Sequence, residues 1–372
     1  MHKSWPAVHR VIHFSGGIRG ENPPQDSNVY LHPTIPGKEA IIESIENYAS
    51  IYKLSELYGL ILGVDFYQSP DQIHGVYPPE WRVYTYDRGS WLGFSTAQKM
   101  AEIINNAYQQ GNLEFVDCIS KVEAWSKAAS RALRGISESY HQILSTRCKD
   151  KEYKAPQAFD DMNCDFVNDT MHNFLYYVGT LRDHIAEFII RYIAHDPPKE
   201  LNKKPVMSKL KQFLEKGNND YGLGNIKDAI LKGYNLGEHS EILPGWLYML
   251  KEYRNIITHE KPIDMIACRA WTWQLVNESG YYSLPKLKFP IPILPLANTD
   301  YFQSAPINLR EKLKRVAPSE DFMATNPDGL EVAWRLLIQL LIFLDKVLDK
   351  SPIKPEPILL DSSNSWGFRR VE

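Results

Sequence analysis

The stretch that decides the fold class is residues 174–192, FLYYVGTLRDHIAEFIIRY. Apolar side chains recur in it at steps of three and four, which is the spacing of one face of an α-helix. That apolar stripe consists of Phe174, Tyr177, Val178, Leu181, Ile185, Phe188, Ile189 and Tyr192. Off the stripe lie Arg182, Asp183, His184 and Glu187. The pattern predicts a long amphipathic helix over 161–194, which must end before the two prolines that follow.

The same spacing, less regular, predicts further helices over 39–62, 95–110, 112–148, 206–216, 225–232, 245–258 and 328–349. Two of the starts carry capping residues. Ser95 is followed three residues on by Gln98, and Asp328 by Glu331, which is the spacing of a capping box. Pro244 is predicted at the first helical position of the helix at 245–258.

The remaining segments lack helical spacing. Residues 1–38 are rich in Gly and Pro and are predicted to be irregular, and two short strands are predicted around 82–86 and 91–94. The Pro-rich segment 283–307 cannot be helical and is predicted to be an extended arm that lies across another surface. The basic residues His9, Arg10, His13 and Arg19 are therefore expected in an exposed irregular arm.

These segments together predict a mostly α protein. Its centre is an up-and-down helical bundle, accompanied by an irregular N-terminal region, a small strand pair and the Pro-rich arm. The length of 372 residues suggests one large or two medium domains. We divide the chain into an irregular and helical region at 1–110, the bundle at 111–282, and 283–372, which holds the arm, a C-terminal helix and a tail packed on the bundle.

Charge and composition narrow the classes of function. The net charge of −3 means that RNA or DNA binding requires a local basic patch rather than a basic surface overall. The four cysteines form no CxxC pair, so zinc-ribbon spacing is absent. The first twenty residues lack a signal-peptide core, and the longest apolar run, 336–344, is too short to span a bilayer. We expect a cytoplasmic protein that contacts no membrane and holds neither metal nor cofactor.

One short motif carries a chemical signal, and it lies in residues 253–262, YRNIITHEKP. Arg254 and Asn255 are followed, after three residues, by His259. In a regular helix Arg254 and His259 would point about 140 degrees apart, whereas Asn255 and His259 would share a face. The guanidinium and the imidazole can converge only if the helix ends or distorts between them, or if two chains each supply a set. Pro262 favours an ending near His259.

Arginine and histidine together suit the cleavage of RNA by its own 2′-hydroxyl. That reaction needs a base for the hydroxyl proton, an acid for the leaving oxygen and positive charge on the phosphate. Histidine titrates near neutrality and can move both protons, and arginine presents a planar fork to phosphate oxygens. We assign phosphate binding to Arg254, proton transfer to His259 and orientation to Asn255. No metal is required.

Structural interpretations of the same residues stay open. Arg254 falls on the apolar side of its helix and needs an anionic partner, which Glu252 or Asp264 could supply, and His259 could cap the helix C-terminus. Arg191 and His195 form a weaker version of the motif that we interpret as a helix end. A Ser-His-Asp triad also stays open, although no GxSxG elbow occurs.

The motif and its place near the end of a late helix resemble the HEPN superfamily, whose signature is Arg, a polar residue, a few more residues and His. The resemblance covers about residues 110–280, with the helix at 161–194 similar to an early helix of the HEPN bundle. It implies a dimer in which two motif helices form a joint cleft. Many such domains are metal-independent ribonucleases of toxin–antitoxin, abortive-infection or other prokaryotic defence systems, and others are inactive RNA-binding or assembly modules.

This chain keeps all three motif positions, which favours the active class. The resemblance therefore implies an RNA substrate, a homodimer and a regulatory protein such as an antitoxin. The first hundred residues and the Pro-rich arm fall outside a minimal domain of this kind. A non-catalytic helical module for RNA binding or dimerisation is the alternative, and nucleotide binding in the same cleft is a weaker one.

Overall fold

The structure, a computed structural model, describes residues 9–24, 26–45, 48–67, 83–84, 94–149, 153–160, 162–216, 220–235, 245–260, 269–277, 281–291, 313–325 and 327–356. Its helices are α1 (Tyr48–Tyr58), α2 (Phe94–Gln109), α3 (Leu113–Lys149), α4 (Met162–Phe188), α5 (Lys199–Lys203), α6 (Met207–Lys216), α7 (Asn225–Tyr234), α8 (Trp246–Asn255), α9 (Glu320–Thr325) and α10 (Gly329–Asp349). Its strands are β1 (His9–Phe14), β2 (Arg19–Asn22), β3 (Asn28–His32), β4 (Ile42–Ser44), β5 (Ile61–Tyr67), β6 (Val83–Tyr84), β7 (Gln157–Phe159), β8 (Ala270–Asn277), β9 (Ser283–Lys288) and β10 (Leu313–Val316). The prediction of a mostly helical chain is confirmed, but two sheets make the fold mixed rather than a helical bundle alone.

The long antiparallel pair α3 and α4 forms the centre of the fold, as predicted. Buried residues recur at helical spacing on both helices, among them Ile119 and Leu133 of α3 and Phe174 and Leu181 of α4. The third long helix, α10, packs on both. Its predicted cap is confirmed, because the Asp328 carboxylate accepts a hydrogen bond from the Glu331 amide at 3.3 Å. These three helices bury a continuous apolar core against which the other elements pack.

A six-stranded sheet in the order β4-β3-β2-β1-β5-β6 occupies the N-terminal region. Its neighbours are antiparallel except for β5 and β6, which run parallel. The prediction that residues 1–38 are irregular was therefore wrong for the described part of that segment. The glycines lie mainly at turns rather than marking disorder: Gly16 and Gly17, with φ of 78° and 85°, join β1 to β2.

The single helix predicted over 39–62 was also wrong. This segment contains β4, the helix α1 and the start of β5. Gly59, with φ of 107°, ends α1 because this backbone conformation strains any residue with a side chain. Of the two short strands predicted around 82–86 and 91–94, the first is confirmed as β6 at Val83–Tyr84. Residues 91–93 lie outside the described residues, and Phe94 begins α2.

A smaller sheet is built on β8, which pairs with β9 along one edge and with β7 and β10 along the other. The first part of the segment predicted as an extended arm is β9, and all six of its residues are buried. Pro285 stands opposite Gln274 in this outer strand, where a missing backbone N–H is tolerated. Lys286 of β9 donates from Nζ to the carbonyl of Ser15 at 3.1 Å and so joins the two sheets. Residues 292–307 of the predicted arm lie outside the described residues.

Candidate functional site

The motif helix α8 lies against α4. Its apolar residues Leu247, Leu250 and Tyr253 are buried, and Arg254 follows on the same side. The helix begins at Trp246 after Gly245, which adopts a left-handed conformation with φ of 64°. Pro244, predicted at the first helical position, lies outside the described residues. The buried face of α8 therefore fixes where the Arg254 side chain leaves the helix.

Arg254 crosses the surface of α4 at Gly179. A Cβ added to this glycine would come within 2.9 Å of Arg254 Cδ, so the absence of a side chain makes room for the arginine. One turn further along α4, Asp183 Oδ2 accepts a hydrogen bond from Arg254 Nη1 at 3.0 Å. The prediction that Arg254 needs an anionic partner is confirmed. That partner is neither Glu252, which pairs with Lys251 at 3.2 Å, nor Asp264, which lies outside the described residues.

The Asp183 carboxylate binds two guanidinium groups. Its Oδ1 accepts from Arg182 at 3.2 Å (Nε) and 3.0 Å (Nη2), while Oδ2 accepts from Arg254. Arg182 is buried, whereas 37% of the Arg254 side chain is exposed. Among the described residues, the hydrogen bond from Nη1 is the only one that the Arg254 side chain donates, and the guanidinium keeps N–H groups with which it can bind a further acceptor. Arg254 is thus held by one carboxylate and remains partly exposed to solvent.

The helix changes type directly after the first two motif residues. The α-helix ends at Asn255, and Ile256–Glu260 form a π-helical turn. In a π turn the hydrogen bonds join residues five apart, so residues at that spacing come closer to one face than they do in an α-helix. The predicted distortion between Arg254 and His259 is confirmed for the backbone. The side chain of His259 lies outside the described part of the chain, and Asn255 is half-buried.

Sequence reasoning missed Gly179 and Asp183 as parts of the site. In the sequence, Asp183 is only one of several polar residues off the apolar stripe of α4. The sequence does contain a usable signal. Gly179 and Asp183 are four residues apart, so they lie on one face of the helix, where the glycine leaves a notch in the surface and the carboxylate supplies a negative charge beside it. Nothing in the sequence, however, indicates that α8 is the helix that crosses this notch.

A methyl group added at Gly179 would fill the notch and so test whether the position of Arg254 matters for activity. If Arg254 acts in RNA cleavage, as the sequence motif predicts, we expect Gly179→Ala to push it away from Asp183 and to lower the cleavage rate by up to about 100-fold, as misplacement of a catalytic group by roughly 1 Å can do. The free energy of unfolding should change by less than about 1 kcal/mol, since alanine is the better helix former. The matched control is Gly135→Ala in α3, where the added Cβ would meet Thr170 Cγ2 at 3.3 Å. Equal cleavage rates for the two variants would show that the notch has no role in activity.

The weaker motif, Arg191 and His195, lies where α4 ends. Arg191 pairs with Glu187 at 2.7 Å within the helix. The helix ends in a π-helical turn, Ile189–Ile193, and the exposed His195 donates its backbone N–H to the carbonyl of Tyr221 at 2.8 Å. These residues lie at the helix end, as predicted, and His195 is a matched control for His259.

A second polar cluster is buried between the N-terminal sheet and α3. His13 of β1 contacts Ser137 Oγ through Nδ1 at 3.1 Å and Asp65 Oδ2 through Nε2 at 3.2 Å. Arg134 also donates to Asp65 at 2.9 Å. Although this is the residue set of a nucleophilic triad, Ser137, His13 and Asp65 are all buried, and burial lowers the pKa of His13. The cluster attaches the sheet to α3 and offers a substrate no access to the serine.

The expectation that the basic N-terminal residues lie in an exposed irregular arm was wrong. Arg10 and His13 are buried side chains of β1, and Arg10 donates from Nη1 to Asn22 Oδ1 at 2.9 Å. The described N-terminal residues therefore supply no exposed arm on which RNA could lie.

The described residues contain neither a group placed to bind a metal ion nor an exposed cysteine thiol. No group of three or more His, Cys, Asp or Glu side chains is placed there to hold a metal ion. Cys118, Cys148 and Cys164 are buried, and burial raises the pKa of the Cys118 and Cys148 thiols to about 12. None of the described helices combines the length and the apolar character that crossing a membrane requires.

No protein-family model, no curated protein and no solved structure matches the chain.

Proposed function

We propose that this chain is a metal-independent endoribonuclease of HEPN type, which cleaves RNA by attack of the 2′-hydroxyl on the adjacent phosphorus. The observation that supports the proposal most strongly is the position of Arg254, which is paired with Asp183, partly exposed, and two residues before the π-helical turn that contains His259. Asp183 binds Arg182 as well as Arg254, so one carboxylate is shared by two guanidinium groups. The three groups together carry a net positive charge, which favours the binding of a phosphate.

Each motif residue has one task in this reaction. Arg254 neutralises the phosphate as the fifth oxygen bonds to phosphorus, with Nε and Nη2 directed to the non-bridging oxygens. His259 takes the proton from the 2′-hydroxyl or gives one to the departing 5′-oxygen. Asn255 orients the imidazole or donates to the phosphate. The bond from oxygen to phosphorus forms as the P–O5′ bond breaks, which leaves a 2′,3′-cyclic phosphate and a 5′-hydroxyl.

The proposed assembly is a homodimer in which two copies of α8 line one cleft. A second copy brings a second His259, so that one imidazole can act as base while the other acts as acid. The chain is proposed to act in the cytoplasm without a cofactor, in a toxin or phage-defence setting. An antitoxin or another regulatory protein is the proposed restraint on its activity.

Purified protein incubated with single-stranded RNA in excess EDTA tests the proposal. We expect cleavage to continue in EDTA and the fragments to carry 2′,3′-cyclic phosphate and 5′-hydroxyl ends. RNA that is 2′-O-methylated throughout should stay intact, because it lacks the attacking hydroxyl. Intact unmodified RNA, or fragments with 5′-phosphate ends, would refute the proposed reaction.

A second candidate function is a non-catalytic helical module for RNA binding or dimerisation. The ion pair between Arg254 and Asp183 favours it, because that pair joins α8 to α4 and could be purely structural. In this case Arg254→Ala would weaken the fold or the dimer, and no RNA would be cleaved.

A further inference from the structure

An exposed group of aromatic rings lies beside the site on α3 and α4. It consists of Trp125, Tyr176, Tyr177 and His184, which we call the aromatic platform. Trp125 connects its members: its ring centroid lies 6.0 Å from Tyr176 and 5.7 Å from Tyr177, and its plane is within 14° of His184 at 6.4 Å. Such rings usually fill a core, but 49% of Tyr176 is exposed and the other three rings are only partly buried.

The platform continues the surface on which Asp183 and Arg254 lie. Tyr176 and Asp183 are two helical turns apart on α4, a separation of about 10 Å along the axis. His184 directly follows Asp183 in the sequence. A chain whose phosphate binds Arg254 would therefore reach the platform with a neighbouring nucleotide.

Exposed cations lie at one end of the platform. Lys121 lies one turn before Trp125 on α3, and Arg191 lies in the π-helical turn that follows α4, about two turns after His184. About half of each side chain is exposed. Each has a carboxylate neighbour, at 2.5 Å for Lys121 with Asp117 and at 2.7 Å for Arg191 with Glu187. Aromatic rings with cations beside them suit a single-stranded nucleic acid, in which bases stack on rings and the backbone contacts positive charge.

We propose that the aromatic platform binds an unpaired base of the RNA substrate next to the cleaved linkage. This inference rests on the proposed ribonuclease function and adds to it a preference for single-stranded RNA. The bases of a duplex are stacked on each other, whereas an unpaired base can lie on Tyr176 and Trp125. Because every base has a π-face, the platform positions the strand with little choice of sequence.

Binding of an RNA that cannot be cleaved tests the platform separately from the reaction. The probe is a fluorescent 2′-O-methylated oligonucleotide of mixed sequence, compared with an abasic oligonucleotide of the same length and backbone. We expect Tyr176→Ala to weaken binding of the base-bearing strand about tenfold, as the loss of one base–aromatic stack does. Binding of the abasic strand should not change.

Two variants serve as matched controls for this measurement. Tyr176→Phe keeps the ring and should bind like the wild type. Tyr108→Ala removes a tyrosine that is 59% exposed on α2, outside the platform, and should also bind like the wild type. Circular dichroism and the elution volume on a sizing column show whether each variant keeps its fold and its oligomeric state.

The possible outcomes distinguish base binding by the aromatic platform from RNA cleavage at Arg254 and His259. If Tyr176→Ala binds both strands like the wild type, or weakens both equally, the platform does not bind a base. If the same variant dissociates the protein into monomers without changing RNA affinity, the surface is a protein interface and the inference is wrong. Selective loss of base binding supports the platform even where unmodified RNA stays intact in EDTA, and in that case only the ribonuclease proposal fails.

Discussion

Replacing His259 with alanine is expected to lower the rate of RNA cleavage in EDTA by at least about 100-fold, the lower bound for losing a positioned acid–base group. The expectation follows from the backbone at this position. The π-helical turn Ile256–Glu260 begins two residues after Arg254, and a π turn brings residues five apart closer to one face than a regular α-helix does. The measurement is the initial rate on a labelled single-stranded RNA at matched protein concentration.

The control for this variant is His195→Ala. His195 is exposed and follows Arg191 with three residues between them, so it copies the composition of the motif at a different helix end. It should cleave RNA like the wild type. Equal rates for His259→Ala and the wild type would assign any observed cleavage to another site or to a contaminating nuclease.

Replacing Arg254 with alanine is expected to lower the cleavage rate by about 10² to 10³-fold, the usual loss when one charged or hydrogen-bonding group on the transition state is removed. The free energy of unfolding should fall by no more than about 1 kcal/mol, because the pair with Asp183 is partly exposed and such pairs contribute little. Asp183 also keeps its bonds to Arg182 at 3.0 and 3.2 Å when Arg254 is removed. Thermal unfolding and the initial rate measure the two quantities on the same sample.

Arg254→Lys is the informative companion variant. Lysine keeps the charge but loses the planar fork, so it should restore only part of the activity. A large loss of stability in Arg254→Ala, or a shift from dimer to monomer on a sizing column, would instead favour the non-catalytic module. In that case the ion pair between α8 and α4 serves the fold and not a substrate.

The helices could be predicted where one face of a long element is buried. Apolar residues recur along α3, α4 and α10 because each packs on the same core, so their spacing and the Asp328 cap indicate the elements directly. The N-terminal strands could not be found in this way. In β1 both faces are covered, and buried Arg10 and His13 interrupt the apolar pattern that marks a strand. Their partners Asn22, Asp65 and Ser137 lie 12, 52 and 124 positions away in the chain.

In the candidate site, too, the features that depend on local sequence could be predicted, and those that depend on tertiary packing could not. Local sequence indicated the motif, the need of Arg254 for an anion and a distortion of the helix before His259, because each depends on residues close together in the chain. The choice of Asp183 as partner depends on how α8 crosses α4, and the two residues are 71 positions apart. The aromatic platform likewise requires Trp125 of α3 to meet three rings of α4. Tertiary packing decides both features.

A double-mutant measurement tests most directly whether Arg254 and His259 act on one scissile linkage. The initial rate of RNA cleavage in EDTA is compared for the wild type, the two alanine variants and the variant that carries both changes. Residues that act as a unit are not additive, so we predict that the double variant cleaves no more slowly than the slower single variant. Losses that multiply would contradict a shared centre, and intact RNA with the wild-type protein would contradict the ribonuclease itself.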